Sequence, residues 1–145
     1  MDWIPPVSPV PLLQELYWPD QWKILVCCLL LNQTSRKQVD PIIHEFFEKF
    51  PNPQCIVNAS DNEIKEIIKG LGLYNRRTKT LKRFSADYLN LTWKEPLELY
   101  GCGKYANDTW HIFCRGLVKS TVPDDHALND YRDWFLENYE SNYSA

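Results

Sequence analysis

Long hydrophobic segments are absent from this 145-residue sequence. Its longest apolar run, from Ile24 to Leu31, is too short to span a bilayer, because a helix needs about 20 residues to do so. The opening segment, residues 1–10, also lacks the basic start and the apolar stretch of a secretory signal peptide. We therefore expect a soluble, intracellular protein with no membrane partner.

The spacing of the cysteines supports neither a disulfide framework nor a zinc site. The five cysteines lie at positions 27, 28, 55, 102 and 114, an odd number with no C-x-x-C pair. His111 and Cys114 lie one helical turn apart, but no second pair is present to complete a tetrahedral site. We expect reduced, mostly buried thiols and no metal ligands.

A large positive charge is also absent. The formal net charge is −3 at pH 7, which argues against a protein that coats nucleic acid over its whole surface. The cationic residues are concentrated in residues 75–84, NRRTKTLKRF, which include Arg76 and Arg77. Taken alone, this segment is typical of a solvated helix face, but it is also compatible with a local DNA-binding patch.

Helical periodicity is present nearly everywhere, and no segment shows the sustained alternation of a half-buried strand. We therefore predict an all-α fold, organised as one domain over residues 1–145. Asp40-Pro41 marks a start or a kink in the third helix, whereas Ser60 and Gly70 begin and end the fourth. The predicted helical segments are 12–17, 22–31, 39–50, 60–70, 75–88, 96–100, 104–117 and a last helix that follows Asp125 and includes Phe135.

A G-x-G turn joins two of these helices at Gly101, Cys102 and Gly103. Such a short connection indicates a helix-hairpin-helix shape over residues 96–117. Glycines allow left-handed dihedral angles and close approach, so main-chain N–H groups and the next helix N-terminus can face a DNA phosphate. A simple tight turn is the alternative, since G-x-G between helices is a weak signal.

Asp125 lies at the start of the last helix, about twenty residues after the hairpin. A helix N-terminus favours negative charge, so we expect this carboxylate to be ionised. An ionised carboxylate can stabilise the oxocarbenium-like sugar that forms when a base leaves, and it can orient or deprotonate water. The alternative is that Asp124 or Asp125 only caps the helix.

Together, the hairpin, the aspartate and a series of short motifs resemble the endonuclease-III-like superfamily of helix-hairpin-helix DNA glycosylases. Within it, the chain is most similar to the family typified by the glycosylase domain of methyl-CpG-binding domain protein 4. The resemblance implies two helical lobes around a DNA-binding cleft, and no iron–sulfur cluster, since no cysteine follows Cys114. The shared motifs span almost the whole chain: residues 3–9, 13–15, 22–23, 31–32, 34–35, 71–74, 103–105, 107–108, 125–126 and 128–129.

The resemblance implies that Asp125 is the catalytic residue and that Gln14 and Tyr105 line the pocket for an extruded pyrimidine. A glutamine amide offers a donor and an acceptor, which suits the O2, N3–H and O4 edge of uracil and thymine. Tyr105 can stack on the base or hydrogen-bond to it. The local pattern alone would instead place Gln14 on an exposed face of the first helix.

Tyr105 occupies the position at which bifunctional relatives have a lysine that attacks the sugar. A phenol cannot form a Schiff base, so the resemblance implies a monofunctional enzyme that leaves an abasic site. Lys104 then becomes a phosphate contact. The residues expected to contact the DNA backbone are Gly101, Gly103, Lys104, Arg76 and Arg77.

Flipping a base leaves a gap in the stack that another group must fill. By resemblance, Gln33 fills that gap, where the closer family has an arginine, and Leu73 is the wedge that opens the partner strand. Ordinary packing after a helix stop is the alternative for Leu73.

The sequence therefore predicts a nuclear, monomeric glycosylase of base excision repair that removes thymine or uracil mispaired with guanine in double-stranded DNA. No cofactor is expected, and a monovalent or divalent cation between the hairpin carbonyls and a phosphate is a hypothesis from the motif's geometry. Two alternatives stay open: a catalytically silent helix-hairpin-helix module that binds DNA or repair partners, and a bifunctional glycosylase/lyase.

Overall fold

The computed structural model of the protein describes residues 3–139, so the predicted domain limits, residues 1 and 145, lie outside the described residues. Within this range the chain forms α-helices and short 3-10 helices without any β-strand, which confirms the all-α prediction. The α-helices are α1 (Leu13–Tyr17), α2 (Gln21–Leu31), α3 (Arg36–Lys49), α4 (Pro53–Asn58), α5 (Asp61–Ile68), α6 (Tyr74–Asn90), α7 (Lys104–Phe113) and α8 (His126–Tyr139), and the 3-10 helices are Lys69–Leu71 and Pro96–Glu98.

Helix α2 is the centre of the fold. It begins after Asp20, whose side chain accepts a hydrogen bond from the N–H of Lys23. Every residue from Ile24 to Leu30 is buried, because α1, α3, α6 and α7 all pack against it. This enclosure explains why its sequence is apolar on all sides.

Helix α3 begins earlier than the proline suggests. Ser35 and Gln38 form a capping box at its start, and Pro41 lies inside the helix. The prediction that Asp40-Pro41 could mark the start is therefore wrong, because the cap five residues upstream sets the boundary.

The α5–α6 connection differs from the prediction in its glycine. Ser60 and Glu63 form the predicted capping box, but Gly70 lies inside the 3-10 helix that extends α5. The left-handed residue that ends this segment is Gly72, with φ of +76°. Assigning the stop to Gly70 was wrong, since only Gly72 adopts the conformation that needs glycine.

Two hydrophobic clusters correspond to the two helical lobes. The larger is built mainly from α2 to α6, and the smaller from the end of α7 and from α8. In the smaller cluster Leu128, Tyr131 and Phe135 are fully buried. Tyr105, on α7, packs against both clusters, so it lies where the two lobes meet.

The hairpin is shorter than predicted. Its first element is the 3-10 helix Pro96–Glu98, and its second, α7, ends at Phe113. The chain turns at Gly116, with φ of +69°, and Leu117 donates its N–H to the carbonyl of His111 at 2.9 Å. The predicted extension to residue 117 is therefore wrong, because Leu117 belongs to the turn.

Neither a membrane-spanning helix nor a cluster of metal-ligating side chains is present among the described residues. Across residues 3–139 no helix is long and apolar enough to cross a membrane, and no group of three or more His, Cys, Asp or Glu side chains could hold a metal ion. All five cysteines are free: Cys27 and Cys28 are buried, and the other three are partly buried.

Candidate active site and DNA interface

Asp125 occupies the N-cap position of α8. Its Oδ2 accepts a hydrogen bond from the N–H of Leu128 at 2.9 Å, and its carbonyl accepts one from the N–H of Asn129 at 3.0 Å. The side chain also lines a cavity of about 420 Å³. Capping and facing a cavity are therefore compatible, because the cap uses one carboxylate oxygen only.

The carboxylate of Asp125 is not consumed by an internal ion pair. Within residues 3–139 it forms none, whereas its neighbour Asp124 lies 3.5 Å from the Nζ of Lys104. Asp125 is half-buried at the cavity wall. A charge in this position can act on a bound molecule.

Gln14 and Tyr105 line the same cavity as Asp125. Gln14 is 1% exposed, which excludes the alternative of an exposed residue on the first helix. Its Nε2 donates to the hydroxyl of Tyr105 at 2.6 Å and contacts the sulfur of Cys28 at 3.8 Å. The hydroxyl of Tyr105 accepts from Gln14, so its own proton can be donated to a carbonyl oxygen in the cavity.

The electrostatic surroundings keep Tyr105 and Cys28 neutral. Burial is the main cause that raises the pKa of Tyr105, and the neighbouring Cys28 and Asp125 raise it further. Burial likewise raises the pKa of the Cys28 thiol to about 12. At neutral pH, Tyr105 and Cys28 therefore add no negative charge near Asp125.

Gln33 and Leu73 share an uncommon backbone conformation. Both are left-handed, with φ of +64° and +50°, a region that residues other than glycine occupy at a cost of about 1–2 kcal/mol. Leu73 is 52% exposed, so it is not packed in the core as the alternative required. Two turns thus present an amide and an apolar side chain to solvent.

Gln33 separates two cavities. It lines the Asp125 cavity together with Asn32, and both residues also line a second cavity of about 330 Å³. Leu73 and Gly101 of the hairpin also line the second cavity. The two cavities are therefore neighbours with Gln33 at their boundary.

Gly101 and Gly103 have different structural roles. Gly101 has a φ of +84°, and a Cβ there would lie 2.6 Å from the Cγ2 of Thr80 on α6, so both backbone and packing require glycine. Gly103 is the N-cap of α7 and provides no side-chain cap. The first N–H groups of α7 are therefore not capped by their own N-cap residue, as a phosphate-binding helix start requires.

Comparison with known proteins is consistent with this geometry. The model of the HhH-GPD superfamily, described as base excision DNA repair proteins, matches residues 26–138. The chain belongs to this superfamily. The resemblance seen in the sequence is thereby confirmed for the fold family.

Two curated proteins are similar to this HhH-GPD chain, and one of them is named as a thymine-DNA glycosylase. The chain is 41% identical over 138 residues to a methyl-CpG-binding domain protein 4-like protein of Arabidopsis thaliana, covering 95% of this chain and 31% of that protein. It is 34% identical over 102 residues to a thymine-DNA glycosylase of Aeropyrum pernix, covering 63% of this chain and 46% of the relative. The chain thus spans less than half the length of these curated relatives.

A solved structure with the same fold is that of a thermostable thymine-DNA glycosylase. The TM-score is 0.63 at 29% sequence identity, with 67% of this chain and 48% of the other chain covered. The sequence and structure comparisons therefore agree on the HhH-GPD fold.

The ammonium group of Lys104 donates hydrogen bonds to oxygens of the HhH-GPD chain itself. Its Nζ donates to the Oδ2 of Asp108 at 2.7 Å and to the carbonyl of Val122 at 2.9 Å. The hydrogen bond to Asp108 is the main cause that raises the pKa of Lys104. Lys104 therefore ties α7 to the segment before Asp125 in the free protein, and its contact to a DNA phosphate stays a prediction.

Arg76 and Arg77 both border the second cavity but differ in exposure. Arg76 is exposed and lines the second cavity with Lys79, as a contact to DNA requires. Arg77 is 8% exposed, and its guanidinium donates to three main-chain carbonyls. The expectation that Arg77 contacts the DNA backbone is corrected, because its donors are used inside the protein.

The sequence patterns missed Asn32 and Cys28 as parts of the site. Asn32 lines both cavities, and its place among the shared motifs was the signal that could have revealed it. Cys28 lies beneath Gln14, and its position in the apolar α2 gave no such signal.

Proposed function

We propose that this chain is a monofunctional DNA glycosylase that removes thymine or uracil mispaired with guanine from duplex DNA. The observation that carries the proposal is the single cavity lined by Asp125, Gln14 and Tyr105. A carboxylate and two neutral hydrogen-bonding groups are the set that cleavage of a pyrimidine N-glycosidic bond needs. The superfamily of base excision repair proteins and the thymine or uracil named in the relatives support this choice.

The cavity receives the flipped nucleotide. The edge of an everted pyrimidine carries carbonyl oxygens and an N3–H group, which match the hydroxyl of Tyr105 and the amide of Gln14. Gln33, at the boundary of the two cavities, fills the gap left in the stack. Leu73 enters next to it, on the side of the partner strand.

Asp125 acts on the sugar. As the bond between C1′ and the base nitrogen breaks, positive charge develops on the sugar ring, and the carboxylate stabilises it. Water then adds its oxygen to C1′, and its proton passes by way of Asp125 towards the departing base. The products are the free base and an abasic site in an intact strand.

The absence of an amine nucleophile from Tyr105's position favours a monofunctional enzyme. The raised pKa of Tyr105 keeps the phenol protonated, and a phenol cannot form the Schiff base that strand cleavage by a lyase requires. Lys104, beside it, is held by Asp108 and Val122. This geometry disfavours the bifunctional alternative.

The remaining details of the reaction are proposals by resemblance. We assign a guanine opposite the target, a CpG context, action as a monomer and a nuclear location. The N–H groups of the hairpin and the exposed Arg76 hold the DNA backbone. A monovalent or divalent cation between the hairpin carbonyls and a phosphate would show itself as binding that depends on that ion.

One gel assay separates the proposed function from its alternatives. A labelled duplex with a G·U or G·T mismatch is incubated with the protein and analysed with and without alkali, with matched G·C and A·T duplexes as controls. The proposal predicts breakage after alkali only. Breakage without alkali would show a lyase, and intact DNA under both conditions would show a silent binder.

A further inference from the structure

Arg77 is a buried cation that is held by carbonyl groups alone. Its Nε donates to the carbonyl of Gly72 at 3.0 Å, Nη1 to that of Leu30 at 3.3 Å, and Nη2 to that of Asn32 at 3.1 Å. Within residues 3–139 no carboxylate forms an ion pair with it. Burial lowers the pKa of Arg77, so these carbonyl dipoles are what compensate the buried charge.

The three carbonyls come from two separate turns. Leu30 and Asn32 lie at the C-terminal end of α2, where carbonyls lack helical partners and the helix dipole is negative. Gly72 lies in the turn between the 3-10 helix 69–71 and α6. The guanidinium of Arg77 therefore joins two turns that are distant in sequence.

Each turn leads directly into one of the two residues that are expected to enter the duplex, Gln33 and Leu73, which we call the wedge residues. The peptide plane that contains the carbonyl of Asn32 also contains the nitrogen of Gln33, and the plane of Gly72 contains the nitrogen of Leu73. Gln33 and Leu73 are the two non-glycine residues with positive φ among residues 3–139. Such a conformation persists only where the surroundings enforce it, and Arg77 is the side chain that contacts both planes.

We propose that Arg77 is a positioning residue that fixes the positions of Gln33 and Leu73 relative to each other, so that both side chains enter the duplex together. The proposal rests on the proposed function, because it concerns the residues that open the DNA stack. A planar guanidinium can reach three carbonyls at once, whereas a lysine ammonium acts as a single point charge. Arg77→Lys therefore keeps the positive charge but cannot hold the three carbonyls of the two turns at once.

The test compares Arg77→Lys with Arg132→Lys. Arg132 also donates to main-chain carbonyls, those of Val118 and Lys119, but contacts neither wedge turn. Base eversion is followed by fluorescence of 2-aminopurine placed next to a G·U mismatch, and uracil release by single-turnover kinetics with saturating enzyme. We expect Arg77→Lys to lose eversion and to slow release on the order of 10²-fold, while Arg132→Lys stays near wild type in both.

A double-mutant cycle separates positioning from loss of stability. In a Gln33→Ala/Leu73→Ala background, Arg77→Lys should slow release less than about 2-fold further, because the residues it positions are already gone. The proposal is wrong if Arg77→Lys slows uracil release as much in this background as in the wild type. It is also wrong if Arg77→Lys and Arg132→Lys release uracil at equal rates. If Arg77→Lys does not fold, Arg77→Gln replaces it, since it removes the buried charge and keeps one donor group.

The outcomes also distinguish this proposal from the proposed function. If the wild-type protein releases no base from any mismatched duplex, the proposed function fails. If the wild type is active but the cycle is additive, only the role of Arg77 fails.

Discussion

At the scale of single residues, Asp125 combines a structural and a chemical task. Its Oδ2 caps α8 through the N–H of Leu128, while the side chain borders the cavity. Because the cap alone fixes the carboxylate, no further side chain is needed to orient it. The helix that needs a cap thereby positions the reactive group.

The capping role predicts a difference between two substitutions of Asp125. Asparagine caps helices about as well as aspartate, so Asp125→Asn should leave the free energy of unfolding nearly unchanged, whereas Asp125→Ala should lower it by about 0.5–2 kcal/mol. Denaturant unfolding followed by circular dichroism measures both. Equal stability of the two variants would show that the bond to Leu128 does not cap α8.

A second prediction concerns the hydroxyl of Tyr105. Tyr105→Phe removes the acceptor of the Gln14 amide and the donor to the base, so single-turnover release of uracil should fall about 10-fold, near the cost of one such hydrogen bond. Because the raised pKa of Tyr105 keeps the phenol protonated, the ratio of wild-type to variant rate should stay constant between about pH 6 and about pH 9. A ratio that falls towards one in this range would show that the phenol ionises.

The burial of some site residues could be predicted from the sequence, whereas that of others could not. Arg76 and Arg77 look alike in the sequence, but Arg77 lies four residues before Leu81 and seven before Phe84, on the apolar face of α6. That spacing could have identified Arg77 as buried. Gln14 offered no such signal, because its burial depends on Tyr105, 91 residues away.

At the scale of secondary structure, Lys104 connects the hairpin to the start of α8. It lies at the first position of α7 and donates to Asp108 on the same helix and to Val122, three residues before Asp125. Tyr105 follows it directly. The connection therefore holds the two walls of the cavity that contribute Tyr105 and Asp125.

Lys104→Met tests this connection. If Lys104 acts within the protein, release of uracil from the bound complex should slow about 10-fold, since small displacements of reacting groups are costly. The slope of log binding constant against log salt concentration should then change by less than about 1, the value expected for one lost phosphate contact. A slope that falls by about 1 with an unchanged rate in the complex would instead show a phosphate contact.

Helix positions were more predictable than helix ends. Apolar spacing revealed α3 and α6, because each buries one continuous face, and α2 was revealed by a sequence that is apolar on all sides. The ends depend on single backbone conformations, such as the left-handed Gly72 and Gly116, and several glycines compete for that role in the sequence. For this reason the stops at Gly70 and at residue 117 were placed wrongly.

At the scale of the whole molecule, the proposed function requires a protein of net charge −3 to bind a polyanion through a local patch. Arg76 and Lys79 are exposed and border the second cavity, next to Leu73 and Gly101. Under the proposed function, these exposed cations favour an orientation in which the second cavity faces the duplex.

The patch predicts a measurable salt dependence. Replacing Arg76 and Lys79 by alanine should lower the slope of log binding constant against log salt concentration by about 2, one for each lost phosphate contact. Lys49→Ala is the control, because Lys49 lies at the end of α3 and lines neither cavity. An unchanged slope in the double variant would place the DNA on another face.

The all-α class followed from periodicity alone, but the site did not. Its walls come from α1, the α2–α3 turn, α7 and α8, and no local pattern shows that these segments meet. Resemblance supplied Gln14, Tyr105 and Asp125 as a set. The structure then added the two adjoining cavities, with Gln33 between them.

The central claim is that Asp125 acts on a nucleotide held in the cavity. The most direct measurement is single-turnover release of labelled uracil from a G·U duplex, with wild type and Asp125→Asn at equal, saturating occupancy. The account predicts that Asp125→Asn binds the duplex and everts the base as the wild type does, while release slows on the order of 10²–10³-fold or more. Release by Asp125→Asn at the wild-type rate would contradict it.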